Sequence, residues 1–197
     1  MIIKNKRMKC LINPTEAEQI EREPLLKYSF YLSSKNNLLL NTIDVIIKKL
    51  NDGFSTSTIN ADKIGDASIL TWFWTLGAYE IVRTMSQTKD CFSDDTNSKI
   101  NLLKQELAIA RIPSTKMEKK GKKIPVNSNR NFDGWDIGKK DLIIGDPEFP
   151  KSARELFLLY DKTMSSLTKI DILKNHENSV EYTKIKNEKM IDQTNVL

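Results

Sequence analysis

The sequence has few of the residues from which metal and redox sites are built. Its 197 residues include two cysteines, Cys10 and Cys91, and one histidine, His176. Two separated cysteines exclude a disulfide framework and a zinc site with four cysteine ligands. One histidine excludes a His-rich metal site and the paired histidines of a zinc hydrolase helix. We therefore expect two reduced thiols, an exposed histidine and no cofactor.

Long apolar runs are also missing. No stretch approaches the roughly 18 consecutive apolar residues of a membrane-spanning helix, and residues 1–12 mix charges into their apolar residues, unlike a signal peptide. Hydrophobic residues make up 39% of the chain and charged residues 29%, a composition that suits one packed core. The sequence therefore predicts a cytoplasmic protein without a membrane partner, and it leaves the oligomeric state open.

Hydrophobic residues recur mostly at helical spacing. This periodicity predicts four main helices, over residues 24–50, 66–87, 98–111 and 151–168. The expected N-terminal caps are Ser34, Asp66 and Ser152, with Asn13 before a short helix near the start. The helix over residues 66–87 is apolar almost all round in its first half, which predicts burial on several sides. The fold class is therefore mainly all-α, a four-helix-type bundle around this central helix.

Two segments stand apart from the predicted helices. We expect one helical domain over residues 1–168 and a polar tail or frayed helix over residues 169–197. Residues 113–150 are inserted between the third and fourth main helices, as an irregular basic arm or a β-hairpin. The hairpin would pair residues 122–126 with residues 142–144, and Asp133 with Gly134 would supply its turn.

Positive charge is concentrated in this arm. The chain carries 31 Lys and Arg against 26 Asp and Glu, a net charge of +5. Residues 114–140 contain eight of the basic and three of the acidic residues, which leaves 23 charges of each sign elsewhere. The arm therefore accounts for the whole excess. A localised excess of positive charge predicts a docking surface for an anionic partner.

The residue types of the arm favour nucleic acid or an acidic protein surface as that partner. Lysine and arginine neutralise phosphates, and aromatic side chains stack on unpaired bases. The predicted anion-binding residues are Lys116, Lys119, Lys120, Lys122, Lys123, Arg130, Phe132 and Trp135. The alternative is a lysine-rich loop that is only solvated, with Phe132 and Trp135 anchored on the helices.

The helix over residues 66–87 holds two further candidates. Glu80 and Arg83 are three residues apart, so they share a face and can pair. We expect this pair to be structural or to lie at the rim, where the charges reach water. The aromatic residues of the helix are Trp72, Phe73, Trp74 and Tyr79, and their spacing within the most apolar segment predicts core packing rather than a ligand pocket.

No residue set predicts catalysis, so the leading hypothesis is a non-enzymatic interaction protein that uses the basic arm. A metal-dependent nuclease is a second hypothesis, because carboxylates near a lysine can hold magnesium and stabilise developing charge. Its residues would be Asp133, Asp136, Asp141 and Lys140, although their spacing differs from the usual nuclease pattern. A protein-binding inhibitor or antitoxin-like regulator that uses the surface of the helices is a third hypothesis.

Overall fold

The computed structural model describes residues 13–55, 58–116, 134–145, 149–180 and residue 183. Over this part of the chain the protein is mostly helical with a small three-stranded antiparallel sheet, which confirms a mainly α-helical fold. The helices are α1 (Glu16–Arg22), α2 (Leu25–Tyr28), α3 (Phe30–Gly53), α4 (Ala61–Gln87), α5 (Asp94–Lys116) and α6 (Ala153–Ser165). The strands are β1 (Gly134–Asp136), β2 (Asp141–Ile144) and β3 (Lys151–Ser152). None of the helices in the described ranges is long and apolar enough to cross a bilayer.

The predicted helix over residues 24–50 is interrupted at Ser29. The backbone of Ser29 is extended, with φ of −163° and ψ of 124°, and its hydroxyl accepts the N–H of Leu32. Ser29 therefore ends α2 and caps α3. The prediction that Ser34 caps this helix is wrong, because Ser34 lies one turn inside α3.

Two other helices also begin at residues that differ from the predicted ones. Thr15 rather than Asn13 caps α1. Asn60 rather than Asp66 caps α4, because the Asn60 side-chain oxygen accepts an N–H from the first turn. Asp66 instead pairs across to α3, where Lys49 Nζ lies 2.7 Å from its carboxylate. That hydrogen bond holds the pKa of Asp66 below its usual range.

Helix α5 extends beyond the predicted residues 98–111 on both sides and continues through Pro113. Pro113 has no N–H to donate to the carbonyl of Ile109. The end of β2 packs at this point, since a Cβ on Gly145 would lie 3.1 Å from that carbonyl oxygen. Gly145 also has a φ of +92°, a conformation that favours glycine. The sequence predicts that the helix ends before Pro113. In the structure the helix continues through Pro113, at the point where it packs against the end of β2.

Helices α3 and α4 run antiparallel and pack closely at Gly77. A Cβ on Gly77 would lie 3.1 Å from Leu39 Cδ2, so the glycine makes room for a side chain of α3. One turn away, Trp74 meets the rings of Phe157 and Tyr160 edge-on, at centroid distances of 4.7 and 5.2 Å. Its Nε1 donates to the Leu39 carbonyl at 3.2 Å. These contacts join α3, α4 and α6 in one core.

The predicted start of α6 is confirmed. The hydroxyl of Ser152 accepts the N–H of Glu155 at 3.1 Å, which caps the helix. Its buried apolar face consists of Ala153, Leu156, Phe157, Tyr160 and Met164. The helix ends at Ser165, three residues before the predicted end.

The sheet is a meander in the order β1–β2–β3 that begins with a hairpin. Residues 142–144 lie in β2 as predicted, whereas the partner predicted for them, residues 122–126, lies outside the described residues. The predicted turn is wrong, because Gly134 lies in β1. Residues 137–140 form the turn instead, and a carboxylate oxygen of Asp136 accepts a backbone N–H from it at 2.9 Å.

Residues 169–180 pack against the connection between α4 and α5. Ile172 is buried and forms an isolated β-bridge with that connection. Asp90 accepts hydrogen bonds from Lys174 Nζ at 2.7 Å and from the Val180 N–H at 2.9 Å. These two bonds, with that from Lys174 the larger, hold the pKa of Asp90 below its usual range. The domain boundary predicted after residue 168 stays a prediction.

We expect Asp90→Asn to loosen residues 174–180 without unfolding the helices, because the amide cannot form the ion pair with Lys174. Since the folded-state pKa of Asp90 is lowered, its stabilisation is complete above the unfolded-state pKa of about 3.9. It is lost as the pH falls below that value and through the folded-state pKa. Hydrogen exchange at the Val180 amide should therefore lose protection in acid in the wild type, and at neutral pH already in Asp90→Asn. Glu177→Gln, an exposed change in the same segment, is the control, and a fully protected Val180 amide in Asp90→Asn would contradict this role.

The exposure of Cys91 and His176 can be compared with what the sequence predicts for them. Cys91 is buried, and burial raises the pKa of its thiol, whereas Cys10 lies outside the described residues. His176 is only partly exposed, and its ring packs edge-on against Tyr28 at a centroid distance of 5.6 Å. The prediction of a solvated surface histidine is therefore wrong. Burial also raises the pKa of Tyr28 to about 12.

Candidate nucleic-acid interface

Most of the predicted anion-binding residues lie outside the described residues. These are Lys119, Lys120, Lys122, Lys123, Arg130 and Phe132. Lys116 is the last residue of α5, and Trp135 lies in β1. The first and last of the predicted anion-binding residues are therefore placed, one on α5 and the other on β1.

Within the arm, β1 and the turn after it present an aromatic side chain and two lysines. Trp135 is 45% exposed, and Lys139 and Lys140 are exposed in the turn that follows β1. Neither lysine forms an ion pair with a described carboxylate. Lysines on the helices, on β3 and in the C-terminal segment do form such pairs, namely Lys49–Asp66, Lys99–Asp95, Lys151–Glu106, Lys169–Glu21 and Lys174–Asp90. Among the described residues the two lysine side chains of this turn therefore stay unpaired, although the Asp136 carboxylate accepts a backbone N–H of the same turn.

A cluster of charged residues lies where α5 packs on α4. Glu80 Oε2 accepts a hydrogen bond from Arg83 Nε at 2.8 Å, and Arg83 Nη2 lies 2.8 Å from the same oxygen. Arg111 Nη2 lies 3.5 Å from the other oxygen. The Arg111 guanidinium lies over the Tyr79 ring, 4.6 Å from its centroid. Glu80 and Arg83 are about half exposed, which confirms a pair at the rim. Two guanidinium groups therefore converge on the Glu80 carboxylate, and planar N–H donors of this kind suit a phosphate.

The four aromatic residues of α4 divide between the core and the surface. Trp74 is 1% exposed, whereas Trp72 is 38% and Phe73 57% exposed. The rings of Trp72 and Phe73 contact each other, with centroids 4.8 Å apart and planes at 55°. The prediction of core packing is therefore wrong for this pair. Successive residues of a helix are about 100° apart, so Trp72 and Trp74 point in nearly opposite directions.

The packing of α5 on α4 places the α5 end of the arm close to Trp72. Lys104 Nζ lies 3.1 Å from Ser86 Oγ in the last turn of α4, and Arg111 contacts the middle of α4. The two helices therefore run antiparallel. Lys116 is five residues beyond Arg111, about 7.5 Å further along the axis at 1.5 Å per residue. This position lies alongside the turn of α4 that contains Trp72.

A second exposed surface lies across α3 and α4 and is apolar. Its members are Leu38 and Val45 of α3 and Ile69 and Phe73 of α4, and all four are about half exposed. Leu38 and Val45 are seven residues apart and Ile69 and Phe73 four, so each pair shares one face of its helix. The antiparallel packing at Gly77 brings the two pairs side by side. We call these four residues the apolar face.

The carboxylate of Asp141 holds the start of α6. Asp141 is buried and accepts hydrogen bonds from the Ser152 hydroxyl, from the Leu142 N–H at 2.8 Å and from the Arg154 N–H at 3.4 Å. Among the described residues, no group of three or more His, Cys, Asp or Glu side chains could hold a metal ion. Asp133, the first residue of the nuclease hypothesis, lies outside the described residues. The described contacts of Asp141 therefore assign it a structural role.

Sequence reasoning missed Arg111, Trp72 and Phe73 as surface residues near the arm. The periodicity of α4 contains a signal for the last two, since Trp72 and Phe73 belong to a second apolar stripe that flanks the core stripe. A second apolar stripe on a helix indicates either that another helix buries it or that it is exposed and binds a partner. Arg111 carries no local signal, because its contact with Tyr79 joins two helices.

Comparison with protein-family models, with curated proteins and with solved structures finds no match for this chain. Its function is therefore inferred from the residues and contacts described above.

Proposed function

We propose that this protein is a non-enzymatic helical interaction protein that binds single-stranded nucleic acid through its basic arm. The four long helices α3, α4, α5 and α6 act as a four-helix-type bundle, a rigid scaffold in the cytoplasm. Residues 113–150 supply the contact surface. The arm lysines and Arg130 attract the phosphates, and Phe132 and Trp135 contact the bases.

The position of the arm's first attachment point carries this proposal. Because α5 runs antiparallel to α4, its last turn lies alongside the turn of α4 that contains Trp72, one turn beyond the contact of Arg111 with Tyr79. The exposed ring of Trp72 contacts that of Phe73. Cationic groups that follow a phosphate backbone and aromatic rings that stack on bases are the two components of sequence-tolerant single-strand binding. A reader of duplex DNA would instead insert a helix or a β-ribbon into a groove.

Charge reversal in the arm tests the proposal. The variant carries four substitutions, Lys119→Glu, Lys120→Glu, Lys122→Glu and Lys123→Glu. We expect it to bind a labelled single-stranded oligonucleotide at least about tenfold more weakly than the wild type, with unchanged helicity. Loss of four phosphate contacts should also reduce the slope of log K against log salt by about 3, at about 0.7 per contact. Fluorescence anisotropy measures affinity at each salt concentration, and circular dichroism measures helicity.

A matched variant separates local contact from overall charge. It reverses four exposed lysines on the rest of the protein, Lys48, Lys63, Lys89 and Lys162, and so has the same net charge as the arm variant. We expect it to keep most of the affinity. Equal losses in both variants, or full affinity in the arm variant, would contradict the proposal. Magnesium-dependent degradation of the oligonucleotide that is lost in Asp136→Ala would support the nuclease hypothesis instead.

A protein partner is the second candidate, and the apolar face favours it. Contiguous exposed apolar residues commonly mark protein-interaction sites. A partner with an acidic surface would contact the arm as well as the apolar face. If this protein is instead an inhibitor or antitoxin-like regulator, its partner would contact only the helices. This candidate predicts that the wild type binds no oligonucleotide. It also predicts that Val45→Lys combined with Ile69→Lys abolishes binding to a protein that co-purifies with the wild type.

A further inference from the structure

We infer that Trp72 and Phe73 form a stacking platform for bases of the nucleic acid that the arm binds. This inference rests on the proposed function and adds a binding site on α4 to it. Sequence reasoning assigned both residues to the core. The platform would take one or two unpaired bases, because each ring offers an apolar surface to any base and reads no particular sequence.

The surroundings of the two rings suit this role. Trp72 and Phe73 are absent from the buried core cluster, whereas Trp74 belongs to it. Their mutual contact, at a centroid distance of 4.8 Å, holds each ring against the other. A preordered ring loses little conformational freedom when a base stacks on it. The platform is therefore exposed and partly fixed before any ligand arrives.

Charge near the platform favours a nucleic acid over an uncharged partner. Trp72 shares one edge of α4 with Tyr79 and Arg83, since residues 72, 76, 79 and 83 follow the helical repeat. On this edge the Arg111 guanidinium lies over the Tyr79 ring. The edge therefore has cationic groups at one end and the exposed Trp72 ring at the other, and the arm begins between them. A strand whose phosphates contact the cations has its bases within reach of the rings.

Two oligonucleotides with equal numbers of phosphates separate stacking from charge. The probes are labelled dT20 and an abasic 20-mer, and the full-length protein is titrated into each. We expect Trp72→Leu to weaken binding to dT20 by a factor between about 5 and about 150, the range for loss of one stacked base. Binding to the abasic strand should not change, because it has no base to stack. Trp72→Phe retains a ring and should retain most of the affinity for dT20.

Controls keep the outcomes distinct. Leu158→Ala removes a similarly exposed apolar side chain from α6 and should leave both affinities unchanged. Phe73→Leu is a second variant of the platform and should resemble Trp72→Leu. Unchanged affinity for dT20 in both platform variants would overturn the inference and leave the proposed function intact. Equal losses on dT20 and the abasic strand would also overturn it, and would indicate general apolar docking as expected for a protein surface. A wild type that binds neither probe would overturn the proposed function itself.

Discussion

Trp74→Ala is expected to lower the free energy of unfolding by about 3–5 kcal/mol, as for other large buried aromatic residues. The Trp74 side chain is 1% exposed and packs edge-on against Phe157 and Tyr160. Truncation removes these contacts and leaves a cavity between α3, α4 and α6. It also deprives the Leu39 carbonyl of the indole N–H that it accepts. Chemical denaturation measured by circular dichroism gives the loss.

The matched control is Trp72→Ala, the same change two residues earlier on the same helix. Trp72 is partly exposed and contacts Phe73 outside the core. We expect its loss to lower the free energy of unfolding by less than about 1 kcal/mol. Equal costs for the two variants would show that α4 is buried on both sides, as the sequence predicts, and would leave no exposed platform.

Asp141→Ala is expected to destabilise the protein by about 3 kcal/mol, because it leaves buried donors without an acceptor. The carboxylate accepts the Ser152 hydroxyl and the backbone N–H groups of Leu142 and Arg154. Without it, β2 keeps its pairing with β3 but loses the carboxylate hydrogen bonds that join it to the start of α6. The change should lower the denaturation midpoint of the whole domain, since this contact joins the sheet to the helices.

Asp136→Ala is the control for this prediction. Asp136 lies opposite Asp141 in the hairpin but is more exposed, and from the described residues it accepts a single turn N–H. We expect it to cost about 1 kcal/mol or less. The nuclease hypothesis makes the opposite forecast, namely that both variants keep their stability and lose magnesium-dependent cleavage. Measuring stability and cleavage on the same two variants therefore distinguishes a structural carboxylate from a catalytic one.

The helix caps show how far local sequence signals reach. Ser152 caps α6 as predicted, because its hydrogen bond is made to Glu155, only three residues along the chain. Ser29 and Asn60 are equally suitable residue types, yet polar residues are frequent near both helix starts and several could have served. The choice among them depends on where the backbone turns to bring α3 against its neighbours. Pro113 shows the same limit, since α5 continues through it where Gly145 packs.

The candidate interface also has one feature that the local sequence predicts and others that depend on tertiary contacts. The charge of the arm follows from counting residues, whereas the surface beside it follows from contacts between helices. Arg111 joins the cluster only because α5 runs antiparallel to α4 at Tyr79 and Glu80. Trp72 is exposed because α6 covers the opposite side of α4, at Trp74. No pattern within residues 66–87 indicates which of the two apolar stripes α6 would cover.

The sequence by itself determined the mainly helical class, the cap of α6 and the concentration of positive charge in residues 114–140. Helical periodicity, capping hydrogen bonds and local charge all depend on residues close together in the chain. Only the tertiary structure decided which side of α4 is buried, which strands pair and which side chains lie beside the arm. These features depend on contacts between residues far apart in the chain, such as Trp74 with Phe157, whose energies no local pattern encodes.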